Sequence, residues 1–290
     1  MAKVLRDLLT KEADLGTPHM KVPNLKGKNV LVIGADRPSG FGYNFAKVAA
    51  LEGGATAYLT VQNDEVKKSI EETATFKPKV STFEVTDPNS LKALGASMPE
   101  LDAVVYAPAY LNRKYFGAGK NWDDIDEKDK QESLLVSAEG AAMVAHALEK
   151  QLSARKGVVY GVSFSLPDLP PYTIGRAKTA LEDLVTKKMA PELKTKGIRA
   201  NILLLTAFSS VSSLMISRDG GVDRLLDYVE SQLKVARWPL GQMVREAVAT
   251  ITDPRTGHIF ELDNGLRREA WKDRARLAKI YADGLAAMSQ

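Results

Sequence analysis

The chain predicts a doubly wound α/β fold, a parallel sheet of about seven strands with helices on both faces in a single domain. Three observations predict it. Short apolar, β-branched runs alternate with helical patterns from Asn29 to Leu262. The first run is continuously apolar instead of alternating, as strands covered on both faces are. A glycine-rich stretch follows that run and opens the first helix.

The elements follow in order. Asn29 to Ile33 is the first strand and stops at Gly34. Phe41 to Leu51 reads as a helix that ends near Gly53-Gly54, glycine being favoured just past a helix. Ala55 to Val61 is the second strand, Glu65 to Thr75 a helix, and Lys79 to Val85 the third strand. Leu91 to Met98 is a short helix and Leu101 to Tyr106 the fourth strand. Gln131 to Leu152 carries one long helical pattern, and Gly157 to Phe164 is the fifth strand. Gly175 to Lys194 is helical, and Arg199 to Leu205 is the sixth strand. Asp223 to Val235 and Leu240 to Ile251 are helical, and His258 to Leu262 is the seventh strand. A short amphipathic helix over Lys3 to Glu12 precedes them all, followed by a loop through Gly16, Pro18 and Pro23. Ligands of such sheets bind beyond the carboxyl ends of the strands, where strand order reverses. Functional residues are therefore expected after Ile33, Val61, Val85, Tyr106, Phe164 and Leu205.

Composition narrows the function classes. With 290 residues, 44% hydrophobic and 26% charged, the chain buries a core without staples. Cysteine is absent, which excludes disulfides, thiolate metal sites and a Cys nucleophile and fits a reducing, cytoplasmic setting. The net charge of +4 is spread among acidic residues with no dense basic stripe, which argues against nucleic acid. No apolar run reaches the length of a membrane span or a secretory signal. His19, His146 and His258 are widely spaced and make no ligand set, so no metal is expected.

The stretch Gly34-Ala35-Asp36-Arg37-Pro38-Ser39-Gly40-Phe41-Gly42 has the strand-then-helix context of a phosphate-binding turn. Its five residues between Gly34 and Gly40, with Gln62-Asn63-Asp64, Glu84-Val85, Gly175-Arg176-Ala177-Lys178, Gly197 to Asn201 and Gly257 through Gly265, resemble the short-chain dehydrogenase/reductase superfamily. Within it they are most similar to the enoyl-acyl-carrier-protein reductase branch. The resemblance covers about residues 26 to 268, leaving residues 1–25 as an N-terminal extension and 269–290 as a C-terminal helical tail. It implies a Rossmann-type sheet, an NAD(P)-dependent oxidoreductase, and a homodimer or homotetramer built through Gln131 to Leu152 and Gly175 to Lys194. The implied reaction is reduction of an activated C=C bond in a small-molecule or acyl-thioester substrate, with acyl carrier protein as a possible carrier. A carbonyl reductase of the same superfamily, and a cofactor-binding homologue without redox turnover, are the alternatives.

Residue by residue, the resemblance implies a cofactor site of Gly34, Asp36, Arg37, Ser39, Gly40, Phe41, Gln62, Glu84, Val85, Ala107, Lys178, Ala207 and Phe208. It implies a substrate site of Tyr110, Phe164, Tyr172, Leu214 and Met215, with Tyr172 and Lys178 catalytic. NADH is favoured because Gln62-Asn63-Asp64 opens with no cation to pair a 2′-phosphate; Arg37, Lys67 and Lys68 keep NADPH open. The chain departs from the family in three places. Tyr106-Ala107-Pro108-Ala109-Tyr110 stands where a glycine is usual, and Thr206-Ala207 replaces a Gly-Pro pair. Tyr172 lies six residues before Lys178, where the branch has seven and ordinary dehydrogenases four. Ser163 ends the fifth strand, where ordinary dehydrogenases place a catalytic Ser. Ala207 to Asp219 falls at the family's substrate lid, and fits equally a helix packed on a neighbouring subunit. Gly161 to Ser165, with Asp253 and His258, mimics hydrolase order but lacks the second glycine of a nucleophile elbow.

Overall fold

The computed structural model describes residues 12–110, 122–164, 175–205 and 239–262, with single positions at 228, 231, 232, 276, 279, 280, 283, 284, 286 and 287. Seven strands form one parallel sheet: β1 (Asn29–Ile33), β2 (Thr56–Val61), β3 (Lys79–Thr82), β4 (Ala103–Tyr106), β5 (Val158–Phe164), β6 (Arg199–Leu205) and β7 (Ile259–Leu262). Their spatial order is β3-β2-β1-β4-β5-β6-β7. The chain walks outward from β1 to β3, then returns to pair β4 with the other edge of β1. The reversal therefore lies between β1 and β4, and the crevice beyond Ile33 and Tyr106 is where a doubly wound sheet receives a ligand.

The continuous apolar runs are explained by two cores. Along β1, Val30 and Val32 face one core, and Leu31 and Ile33 face the other. The first core is closed by α1 (Phe41–Leu51) and by the later helix Leu240–Ala249. Helices α2 (Asp64–Thr73) and α3 (Pro88–Ser97) start under side-chain caps: Asn63 Oδ1 accepts from the Val66 amide, and Asp87 Oδ1 from the Asn89 amide. Helix α4 (Glu127–Leu134) leads into the second core, which carries α5 (Gly140–Ala147), α6 (Glu149–Arg155), α7 (Gly175–Asp183) and α8 (Ala190–Lys194). The helix Leu240–Ala249 is α9.

Several expectations shift. The long helix expected over Gln131 to Leu152 begins at Glu127, carries a π-helical turn at Leu135–Glu139, and breaks at Leu148 (φ −107°, ψ 11°). Gly95 of α3 approaches the Ala147 carbonyl beside that break, so close that a Cβ there would lie 2.6 Å from it. The helix expected over Gly175 to Lys194 is likewise interrupted by a π turn at Leu184–Met189. The third strand stops at Thr82, three residues early, because Glu84 turns the chain by accepting from the amide and hydroxyl of Thr86. The expected first helix through Glu12 and the helix at Asp223 to Val235 lie almost wholly outside the described residues. Glu12 itself is not helical, whereas Tyr228, Ser231 and Gln232 are.

The described part of the N-terminal extension straps the outer face of α1 and α9. Glu12 takes the Tyr43 hydroxyl at 2.5 Å and pairs with Lys47. Arg245, only 2% exposed, pairs with Glu52 at 2.9 Å and donates to the carbonyls of Leu15 and Gly16. No described helix is long and apolar enough to cross a membrane.

Candidate active site

The glycine-rich loop is shaped by two neighbours at the switch point. Gly34 has φ +82°, and a Cβ on it would lie 3.1 Å from the Pro108 ring. Only glycine meets both demands cheaply. Its amide reaches Thr60 Oγ1 at 3.4 Å, and the Ala35 amide reaches the Thr60 carbonyl at 3.0 Å, so β2 sets the exit of the loop. Asn44, fully buried on α1, donates to the carbonyls of Pro38 (2.9 Å) and Gly40 (2.7 Å) and closes the loop from below. Sequence reasoning passed over Asn44; its place on the first turn of the helix was the available signal.

This loop fits a dinucleotide. Helix α1 starts at Gly40 without a side-chain cap and without an acid in its first turn, unlike α2. Its positive dipole end thus faces the loop without a side-chain cap, as an anion site requires. Ser39 Oγ is buried and lacks a hydrogen-bond partner among the described residues. A Cβ on Gly40 would lie 3.1 Å from the Arg37 carbonyl, so backbone is bare here. An orphaned buried hydroxyl beside uncapped amides is the donor set a pyrophosphate takes up.

At the end of β2, the Gln62 amide donates to Asp36 Oδ1 at 2.6 Å and ties the glycine loop to that strand. Burial raises the Asp36 carboxyl pKa against the lowering effects of that amide and of Arg37. Val85 is buried and exposed Glu84 adjoins it, its carboxylate engaged with Thr86. Phe41 packs inward on α1, its ring 6.0 Å from that of Phe45. Lys68 faces Glu72 at 3.9 Å, along α2.

Lys178 stands on the other side of the switch point. It is 1% exposed, and its Nζ donates to the Pro108 carbonyl at 2.8 Å, on the same loop that abuts Gly34. The first turn of α7 thus brings the lysine to the glycine loop, although 143 residues lie between Gly34 and Lys178. Desolvation with no anion to offset it pushes its pKa down to about 7. An ammonium has three donors, and among the described residues this one has a single partner. Two donors would remain for the hydroxyls of a ribose.

Nearby, Ser163 Oγ donates to Glu182 Oε1 at 2.7 Å, with both side chains buried. Glu182 lies four residues after Lys178, one helical turn along α7, a spacing that sequence reasoning left unused. Ala107 pairs its amide with the Ile33 carbonyl at 3.0 Å. Tyr110 follows, its amide held by Ser137 Oγ on the π turn and its hydroxyl donating to Asp129 Oδ1, both at 2.9 Å. Tyr106, beneath them, donates to the Val136 carbonyl, and burial raises its phenol pKa. Phe164 ends β5. Tyr172, Ala207, Phe208, Leu214 and Met215 lie outside the described residues.

The hydrolase pattern comes apart in space. Ser163 is near the carboxyl end of β5, while His258 precedes β7 at the amino ends of the parallel strands. Asp253 is paired with Arg255 at 2.7 Å, and that hydrogen-bonded guanidinium holds its carboxyl down at about 2.

Known proteins share this fold. No curated protein matches the chain in sequence. Enoyl-(acyl-carrier-protein) reductase from Anaplasma phagocytophilum in complex with NAD is similar in structure (TM-score 0.73, 22% identity, 85% of this chain, 96% of that one). So is enoyl-[acyl-carrier-protein] reductase (NADH) from Aquifex aeolicus VF5 (0.71, 21%, 83% and 97%). The Bacillus cereus enoyl-acyl carrier protein reductase with NADP+ and indole naphthyridinone follows (0.70, 18%, 85% and 98%). A family model described as enoyl-(acyl carrier protein) reductase matches residues 34–267, from the first glycine of the loop to beyond β7, and the chain accordingly belongs to that family of NAD(P)-dependent oxidoreductases.

Proposed function

We propose that this protein reduces the C=C bond of a 2-enoyl thioester, using NADH in preference to NADPH. The observation that carries the reading is Lys178: a buried amine with spare donors, held by the Pro108 carbonyl beside a glycine loop fit for a pyrophosphate. When bound, the nicotinamide supplies a hydride to the substrate. Negative charge then develops on the thioester carbonyl oxygen and needs a donor. Tyr172 is the donor we assign by sequence, and Lys178 holds the ribose and favours the phenol's ionisation. By sequence we assign Gln62, Glu84 and Val85 to the adenosine end and Ala107, Ala207 and Phe208 to the nicotinamide end. Tyr110, Phe164, Leu214 and Met215 are assigned, also by sequence, to an acyl chain, free or carried on acyl carrier protein. The preference for NADH rests on Gln62-Asn63-Asp64, which brings no cation to the end of β2.

The test is direct. Nicotinamide absorbance should fall when crotonyl or longer enoyl thioesters are added to enzyme and NADH. Oxidation of neither cofactor by any enoyl or carbonyl substrate would leave a dinucleotide-binding protein without redox turnover.

A further inference from the structure

We infer that Asp36, on the glycine-rich loop, is the residue that makes this site choose NADH over NADPH. The inference rests on the dinucleotide-binding reading and names the group that discriminates. In doubly wound sheets the adenosine ribose meets the first residue beyond β2, and an acid there binds the 2′-hydroxyl of NAD. In this chain that residue is Gln62, which carries no charge. The structure brings a carboxylate to the same spot from another element: Asp36 Oδ1 accepts the Gln62 amide at 2.6 Å.

Asp36 comes from the loop after β1, the strand that pairs with β2, and not from the end of β2 where sequence reading looks for an acid. Its half-buried place limits screening by water. A carboxylate offers about four acceptor positions, so the amide uses a fraction of its capacity and ribose hydroxyls can take the rest. A 2′-phosphate would instead set a dianion against a fixed, partly desolvated anion. Like-charge juxtaposition of this kind is how sites reject a partner they would otherwise hold. The charge of the adjacent Arg37 acts on Asp36 and softens the repulsion without removing the carboxylate.

Asp36→Asn separates charge from architecture, because the amide oxygen still accepts from Gln62. Kd values for NADH and NADPH are measured by calorimetry on the wild type, on Asp36→Asn, and on Asp36→Ser, a shorter neutral variant. The wild type should hold NADH at least about tenfold tighter than NADPH. Both variants should cut that ratio by about tenfold, chiefly through tighter NADPH binding. A ratio that stays within about twofold of wild type in both variants makes Asp36 a loop staple only and overturns the inference. So does a wild type that prefers NADPH. Wild type that binds neither cofactor would defeat the dinucleotide reading itself, a result distinct from an unchanged ratio.

Discussion

Lys178 concentrates the chemistry of this protein at the scale of a single residue. Burying an amine without a counter-ion costs free energy, which the fold carries for the sake of the site. The sign of the pH effect follows. A folded pKa of about 7 lies below the unfolded lysine's ordinary value of ~10.4. Between those pH values the unfolded chain holds more protons, so stability rises with pH across that window and is lowest below it. Lys178→Met should therefore stabilise the cofactor-free protein by ~1–4 kcal/mol at pH 6. The gain should shrink as pH approaches 10, while cofactor affinity collapses at every pH. Melting curves across pH with and without NADH check both halves. Tyr172→Phe probes the reaction instead. Loss of one oxyanion donor typically costs about 10²–10³ in kcat, so turnover should fall by that factor with the cofactor Kd unchanged. A kcat within about twofold of wild type would show that Tyr172 is not the donor, leaving Tyr110 as the next residue to test.

At the scale of elements, the helix pair α4 and α5 is organised by its π turn. The extra residue there points Ser137 at the Tyr110 amide and the Val136 carbonyl at the Tyr106 hydroxyl, fixing the loop that carries Pro108. Gly140, immediately after the turn, exists for clearance: a Cβ would lie 2.0 Å from Tyr106 Oη and 2.7 Å from a Val85 methyl. Gly140→Ala should cost about 1–3 kcal/mol by overpacking. Pairing it with Tyr106→Phe, which removes the obstructing hydroxyl, should recover part of that loss. Thermal melts of the two single variants and the double variant give the coupling directly. Additive losses would mean that the clash is relieved elsewhere, at the Val85 contact or by a helix shift.

At the scale of the whole molecule, α4, α5 and α7 bear on subunit association. Leu134, Leu135, Val136, Ala142 and Met143 are only half-buried in the monomer, although α5 and α7 cover the second core. Apolar residues on two sides of a helix call for cover on both. A homodimer or homotetramer joined through these helices is the expected outcome. Light scattering at micromolar concentration should give a multiple of 31.6 kDa, and Met143→Glu should shift the mass toward the monomer. A monomeric wild type would sink this prediction.

The chain by itself determined the architecture, because that information is local and repeated. Seven apolar runs, their alternation with helical periods and the Gly34-to-Gly42 stretch need no knowledge of distant contacts. The bounds of β1 and α1 were legible to the residue, since Gly34 and Gly40 punctuate them. Tertiary structure decided the rest. The π turn at Leu135–Glu139 and the break at Leu148 answer to clearances at Gly140 and Gly95 that no periodicity encodes. The early end of β3 follows from a side chain, Glu84, competing for the backbone of Thr86. The meeting of Lys178 with Pro108 and of Asp36 with Gln62 joins residues from different loops at one switch point. Such pairings depend on where the sheet reverses, and burial then sets the electrostatics that the residue types alone leave open.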